Sequence, residues 1–178
     1  MPLIQEQFFD IGANLTHQSF KKDLDSVLTK ANKLGVKRLS VTGSSVKDSL
    51  EAFEITQRYP KTCISSAGIH PHNAKEFSSA SFSEIEDLLK NDLVKSIGET
   101  GLDFNRNFSS PEDQQKSFEA HLELSIELNK PLFLHERDAH EKFVEITSLY
   151  LKDLPKSVVH CFTGSEEALM KYLDMGFY

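Results

Sequence analysis

The sequence predicts an α/β protein with a parallel sheet, and its polar residues favour a (β/α)8 barrel of the TIM type over an open sheet. Short apolar runs alternate with helix-period segments throughout the chain. The first strand is not followed by a Gly-x-Gly-x-x-Gly turn, and there is no P-loop signature. Five different strands are followed at their carboxyl ends by ionisable side chains, as barrel enzymes require. These are Asp10, His70, Glu99, His135 and His160.

The predicted strands are rich in Val, Ile, Leu and Phe, a composition that suits strands covered on both faces. In order they are QFFDIG, VKRLSVTG, TCISSAGIH, LVKSIGE, PLFLHE and SVVHCF, and a seventh begins at GFY. Apolar spacings of three and four predict helices between them. The helices cover residues 24–34, 45–59, the segment that opens at Ser110-Pro111, 139–151 and 165–173. About six βα units and the start of a seventh are therefore expected.

Size and composition predict one domain over residues 1–178. The net charge of −7 argues against coating nucleic acid through bulk charge. It leaves open an enzyme that holds phosphates with a metal and a few local cations. Cys63 and Cys161 lie in apolar runs, so we expect buried thiols in a reducing compartment. With no signal peptide and no apolar segment of about 20 residues, a soluble cytoplasmic protein is expected.

Glu99 raises the question of a partner, because a carboxylate at a buried strand end is costly without one. We predict a divalent metal shared with His135 and His160, since two imidazoles and a carboxylate suit Zn, Mn or Fe, and a carboxylate with water suits Mg. A single strand-end His is more often a hydrogen-bonded core residue than a ligand, and only the coincidence of three favours the metal.

Other ionisable residues have simpler explanations. His17, His121 and His140 lie in loop or helix contexts and are interpreted as surface or helix-packing residues. The acids Glu84, Glu86 and Asp87 fit a solvated helix face, and Glu112 and Asp113 fit a helix N-terminus.

Six segments carry a resemblance that covers essentially the whole chain. DIGANLT, VTGSS, SSAGIHPHNA, SIGETGLDFNRNFSSPEDQQ, PLFLHERDAHEKF and VVHCFTGS resemble, in order and spacing, the TatD family of metal-dependent nucleases. The resemblance implies an amidohydrolase-like barrel, hydrolysis of DNA or RNA ends, and Mg as cofactor, with Zn or Mn also possible. In bacterial members it implies 3′–5′ exonuclease activity on single strands, associated with DNA repair and RNA turnover.

Carried over by position, the resemblance gives each site residue a role. Glu99 matches the bridging carboxylate, and His135 and His160 match metal ligands. His70 and His72 match an HPH pair beside the substrate phosphate, with His70 given the catalytic role and His72 substrate binding, although Pro71 alone could fix a tight turn. Arg137 is a candidate phosphate contact. A salt bridge to Asp138 or a nearby acid is the alternative for Arg137.

Departures from the family pattern bear on the site. Gly12 and Asn14 stand where many relatives have a His-x-His pair, which argues against a complete two-metal site and resembles the TatD-proper branch. Asn14 remains a candidate substrate- or ion-binding residue, and Glu136 replaces a common Cys. The family's late Asp, which would serve as ligand or general base, has no match.

The missing motif and a closed barrel's need for eight strands lead us to expect a C-terminal truncation in preference to two copies completing each other. We expect single-stranded DNA or RNA as substrate, no membrane partner, and a monomer at full length. Two rivals remain open. One is a D-aminoacyl-tRNA deacylase, and the other is a non-catalytic module that binds a metal or a partner.

Overall fold

A computed structural model describes residues 7–178. Strands and α-helices alternate along the chain. They are β1 (Phe8–Ala13), α1 (Leu24–Lys33), β2 (Val36–Val41), α2 (Val46–Arg58), β3 (Cys63–Ala67), α3 (Ser79–Leu89), β4 (Val94–Asp103), α4 (Pro111–Leu128), β5 (Leu132–Arg137), α5 (His140–Tyr150), β6 (Val158–Val159) and α6 (Glu166–Asp174). Two short 3-10 helices, Gln18–Phe20 and Pro71–Glu76, precede α1 and α3.

The strands form one curled parallel sheet in the order β1-β2-β3-β4-β5-β6, with a helix in each crossover. This confirms the α/β class and the incomplete TIM-type barrel. Tyr178 accepts a backbone hydrogen bond from Val159 and donates one to Ser157, both 3.0 Å long. This parallel pattern puts residue 178 beside β6, at the predicted start of a seventh strand.

The helices begin where the sequence provides capping groups. Ser45 accepts the N–H of Asp48 at the start of α2, and Ser110 accepts the N–H of Asp113 at the start of α4. Pro111 occupies the first position of α4, where its missing N–H costs nothing. Sequence chemistry therefore fixes where each of these crossovers turns back over the sheet.

Most of the apolar core lies between β3–β6 and α3–α6. Phe118 of α4 and Phe143 of α5 are fully buried and stack with centroids 5.2 Å apart. Complete burial of such side chains contributes about 1.5–3 kcal/mol each. A smaller cluster, which includes Leu28, Val41 and Cys63, lies under α1 and α2. The two clusters hold the strand ends that carry the ionisable residues.

Two expectations about burial were wrong. In β1, Phe8, Phe9 and Ile11 are 44–52% exposed, because β1 has a neighbouring strand on one side only among the described residues. Cys161 is exposed, since it lies just beyond β6 at φ +49°, whereas Cys63 is buried as expected. Burial raises the pKa of the Cys63 thiol to about 11. Within residues 7–178, no helix is both long and apolar enough to cross a membrane.

Candidate metal centre

The candidate site lies where β3, β4, β5 and β6 end. Glu99 lies within β4 and His135 within β5. His70 lies in the short loop that follows β3, and His160 directly follows β6. Parallel registry sets their spacing, because Gly101 of β4 pairs with His135. The backbone N–H of His160 donates to Leu134 at 3.0 Å and continues the sheet beside β5. Glu99, His135 and His160, which the sequence predicts to share a metal, thus meet in one cluster.

The glycines of β4 allow this close meeting. Gly98 and Gly101 have φ of +131° and +139°, values that side-chain-bearing residues rarely adopt. A Cβ atom on Gly101 would lie 1.9 Å from the carbonyl oxygen of His135, and one on Gly98 would lie 2.3 Å from that of Phe133. Glycine is therefore required on both sides of Glu99 for β4 to approach β5 this closely.

The Glu99 carboxylate is surrounded by imidazoles. Its Oε1 lies 2.7 Å from His160 Nε2, 3.0 Å from His135 Nδ1 and 3.3 Å from His70 Nε2. Burial alone would raise the pKa of Glu99, but the hydrogen bonds from these three rings outweigh burial and hold the pKa far below its usual range. Glu99 is therefore an anion, and the cost of burying it is offset by its neighbours.

Ligand-type atoms converge on this carboxylate. One such atom each from His70, Glu99 and His135 lie within 4.8 Å of one another. The contact to His160 Nε2 adds a fourth donor beside the same carboxylate oxygen. Imidazole nitrogen and carboxylate oxygen at this spacing are a donor set that could hold a divalent cation.

Asp103 is a second buried carboxylate, which the sequence reasoning did not assign to the site. Its Oδ2 lies 2.7 Å from His72 Nε2 and 3.2 Å from His135 Nε2. Its Oδ1 accepts the backbone N–H groups of Asn105 and Arg106. Burial acts to raise the pKa of Asp103, yet these hydrogen bonds leave it lowered. His135 therefore bridges two carboxylates.

The sequence held a signal for Asp103. It lies four residues after Glu99 on the same strand, and an even spacing puts both side chains on one side of a strand. Strand β4 extends to Asp103 and does not end at Glu99, where the sequence appears to break into a glycine turn. The glycines made the end of the strand look earlier than it is.

The HPH segment has both a structural and a site-facing part. Pro71 opens the short helix Pro71–Glu76, and His70 Nδ1 accepts the backbone N–H of His72 at 3.1 Å. Because Nδ1 is an acceptor, the neutral ring carries its proton on Nε2, which points at Glu99. Burial lowers the pKa of His70. His70 is thus arranged as a hydrogen-bond donor towards the centre.

Arg137 ends β5 and is exposed. Among residues 7–178, no acid lies within 4 Å of its guanidinium, and Asp138 instead accepts the side-chain N–H of Asn105 at 2.7 Å. The salt bridge considered from the sequence is not formed.

Asn14 is exposed, and within the described chain its hydrogen bonds are local, to Thr16 and His17. The structure does not connect Asn14 with the cluster by a hydrogen bond.

The remaining histidines lie outside the cluster, as interpreted from the sequence. His17 caps the short helix Gln18–Phe20 at the surface. His121 is fully buried in α4, and His140 contacts the Tyr172 hydroxyl at 2.9 Å. Glu136 also faces away from Glu99, since it accepts hydrogen bonds from Ala139 N–H and Tyr172. These residues support the helices around the site.

The fold and the cluster together define an α/β-barrel protein with a polar site of imidazoles and carboxylates at the carboxyl ends of its strands. The family model described as "TatD related DNase" matches residues 9–178, and the chain belongs to this family.

Individual relatives agree with this membership. The chain is 45% identical over 170 residues to the 3'-5' ssDNA/RNA exonuclease TatD of Salmonella typhimurium, covering 96% of the chain and 65% of that relative. The TatD family hydrolase from Entamoeba histolytica superposes with a TM-score of 0.89 at 29% identity, covering 97% of the chain and 64% of the other. The TatD homologue YJJV from Escherichia coli gives 0.87 at 25%, covering 96% and 66%. The chain thus spans slightly less than two thirds of the length of these proteins.

Proposed function

We propose that this protein is a metal-dependent nuclease that removes nucleotides from single-stranded DNA or RNA, acting from the 3′ end. The observation that carries the proposal is the convergence of His135, His160 and His70 on the buried Glu99 carboxylate. Family membership and the exonuclease activity of the Salmonella relative supply the reaction class.

In this proposal Glu99, His135 and His160 hold a divalent cation, with Mg first and Mn or Zn as alternatives. A cation held there would supply a Lewis acid for the phosphodiester and lower the pKa of a coordinated water. The donor set fits, because Glu99 is ionised and each ring directs a nitrogen at the same oxygen, Oε1. Phe133 stacks on His160, with centroids 4.2 Å apart, and fixes that ring's orientation.

The phosphate-positioning roles fall to residues beside the ligands. His70 would donate Nε2–H to a phosphate oxygen, since its Nδ1 is occupied by the His72 N–H. Arg137, whose guanidinium has no acidic partner within residues 7–178, would grip two phosphate oxygens. His72, held by Asp103, would contact the substrate further out. Asn14 remains a candidate contact at the edge of the site.

Location and assembly are part of the proposal. We infer a cytoplasmic protein that is a monomer at full length. The location is supported by two free thiols, of which exposed Cys161 is best preserved in a reducing compartment. Sedimentation velocity across a range of protein concentrations tests the monomer, and a concentration-dependent shift to a dimer would contradict it.

The test compares Glu99→Gln and His160→Gln with His17→Gln, a surface control. The rate of cleavage of 3′- and 5′-labelled single-stranded oligonucleotides is measured for each variant in Mg²⁺, Mn²⁺ or Zn²⁺. The measurement is then repeated in the presence of a chelator. We expect the two site variants to lose more than about 100-fold in rate, because loss of an outer partner of a metal ligand alone costs roughly 10–100-fold. Undiminished cleavage by Glu99→Gln, or with the chelator, would refute the mechanism. Faster turnover of D-aminoacyl-tRNA would favour the deacylase.

A further inference from the structure

We propose that the loop of residues 104–110, between β4 and α4, forms a subsite for single-stranded nucleic acid, in which Phe108 stacks on a base and Arg106 contacts a phosphate. The inference rests on the proposed function, because it names how a substrate strand would be held beside the candidate metal centre. Neither residue belongs to the cluster of imidazoles and carboxylates described above.

Phe108 is an exposed aromatic residue at the rim of a polar site. Its side chain is 56% exposed, and its ring contacts the edge of His72 with centroids 4.8 Å apart and planes at 74°. One exposed apolar side chain is ordinary on a protein surface. Two further features distinguish Phe108 from an ordinary exposed residue: the rigidity of its loop and the proximity of that loop to the candidate metal centre.

The loop is tied down on both sides of Phe108. Before it, the N–H groups of residues 105 and 106 donate to Asp103 Oδ1, and Asn107 Nδ2 donates to Phe104 O at 2.7 Å. After it, Ser109 Oγ donates to His72 O at 3.0 Å and accepts the N–H of Lys75. The aromatic ring is thus held in solvent by a fixed backbone. A rigid exposed ring can stack on a ligand with little loss of conformational entropy.

A row of rings connects Phe108 with the candidate centre. The centroid of His135 lies 4.5 Å from that of His70, His70 lies 4.4 Å from His72, and His72 lies 4.8 Å from Phe108. A strand whose phosphate reaches the cluster would pass along this row. Phe108 is the outermost ring and the only one of the four that is mainly exposed, so a base could stack on its face.

Charge favours a local contact at the same loop. The chain carries a net charge of −7, so a nucleic acid would be attracted by individual cationic side chains and not by the overall charge of the protein. Arg106 is exposed, and among residues 7–178 no carboxylate lies within 4 Å of its guanidinium. An unpaired cation two residues from an exposed ring is the combination used by proteins that bind single strands.

Substitutions of Phe108 test the stacking contact through binding. The probe is a single-stranded oligonucleotide with phosphorothioate linkages at its 3′ end in Mg²⁺, with a second version whose three terminal nucleotides are abasic. We expect Phe108→Ala to raise Kd about 5- to 150-fold for the first probe, as expected for one stacked base, and to leave Kd for the abasic probe unchanged. The control is Phe8→Ala, which removes a similarly exposed ring (52%) from β1.

Two further readouts are independent of affinity. The sequence contains no Trp, so Phe108→Trp provides a single Trp whose selectively excited fluorescence a stacked base should quench. Arg106→Ala should reduce the slope of log K against log salt by about 0.7, the value for one phosphate of a single strand.

The outcomes separate this inference from the proposed function. Cleavage and binding that respond to Phe108→Ala no more than to Phe8→Ala, or the absence of quenching, would overturn the stacking subsite and leave the nuclease standing. Failure of the unsubstituted protein to bind either probe and to cleave an unmodified single-stranded oligonucleotide would overturn both.

Discussion

The Nε2 atom of His135 lies 3.2 Å from Oδ2 of Asp103, on the opposite side of the ring from Glu99. Asp103 already accepts two backbone N–H groups at Oδ1, so it is an ionised acceptor and His135 must donate to it. Because Asp103 holds the proton on Nε2, Nδ1 is the nitrogen that would give up its hydrogen bond to Glu99 and offer a lone pair to a cation. A carboxylate that orients a histidine in this way is the usual support for a metal ligand.

Asp103→Asn should therefore weaken cation binding without removing a proposed ligand. We expect the Kd for Mn²⁺ to rise roughly 10- to 100-fold, because the amide no longer fixes the His135 tautomer or balances its charge. Isothermal titration calorimetry measures this directly. The control is Asp25→Asn, which alters an exposed pair with Arg58. Equal affinities of Asp103→Asn and the unsubstituted protein would show that Asp103 does not support the site.

The meeting of Glu99, His135 and His160 could be predicted from the sequence, because parallel strands place their carboxyl ends at one edge. The alternating apolar runs, and helix caps such as Ser45 and Ser110, could also be predicted from the sequence. The role of Asp103 could not be predicted, because the glycines within β4 made that strand look as though it ended before Asp103. Glycine occupies positions 98 and 101 of β4 because the neighbouring strand β5 approaches too closely for a Cβ atom. This close approach depends on the tertiary structure and is not visible in the local sequence.

Gly101→Ala tests that close approach. The added Cβ would lie 1.9 Å from the His135 carbonyl oxygen at φ +139°, so we expect a loss of more than about 4 kcal/mol in the free energy of unfolding, or no folded protein. Gly176→Ala is the matched control, because Gly176 also has positive φ (+85°) but has no atom within 4 Å of the added Cβ. Its cost should be about 1–2 kcal/mol. Similar losses in urea unfolding would contradict the steric explanation.

Tyr172 holds α6 against the turn between β5 and α5. Its buried hydroxyl donates to Glu136 Oε2 at 2.9 Å, while Glu136 Oε1 accepts the N–H of Ala139 at 2.8 Å. Burial, followed by the charge of Glu136, raises the pKa of Tyr172. Tyr172→Phe should cost about 1–3 kcal/mol, because it leaves Glu136 Oε2 without the donor that Tyr172 supplies. Tyr150→Phe removes only a 3.4 Å contact with exposed Glu123, so its effect should stay within about 0.5 kcal/mol. Thermal or urea unfolding that does not distinguish the two variants would refute the role of Tyr172.

His121 makes stability depend on pH at a point away from the cluster. Its Nδ1–H donates to Ser117 O at 2.7 Å and its Nε2 accepts the N–H of Ile69 at 3.1 Å, so both nitrogens of the neutral ring are used. Complete burial lowers its pKa from 6.5 to about 4, despite the hydrogen bond to Ser117. Between these values the unfolded chain binds a proton that the folded chain does not.

This histidine should therefore contribute a loss of stability as pH falls from about 6.5 to about 4, reaching about 3 kcal/mol at the acid end. In His121→Gln, whose amide can still accept the Ile69 N–H, that part of the pH dependence should disappear. Urea unfolding at pH 7.5, 6 and 5 measures the difference, with His17→Gln at an exposed loop as the control. A pH profile of His121→Gln parallel to that of the unsubstituted protein would mean that another group drives acid unfolding. A flatter profile for His121→Gln alone would establish that protonation of the buried His121 ring contributes to acid unfolding.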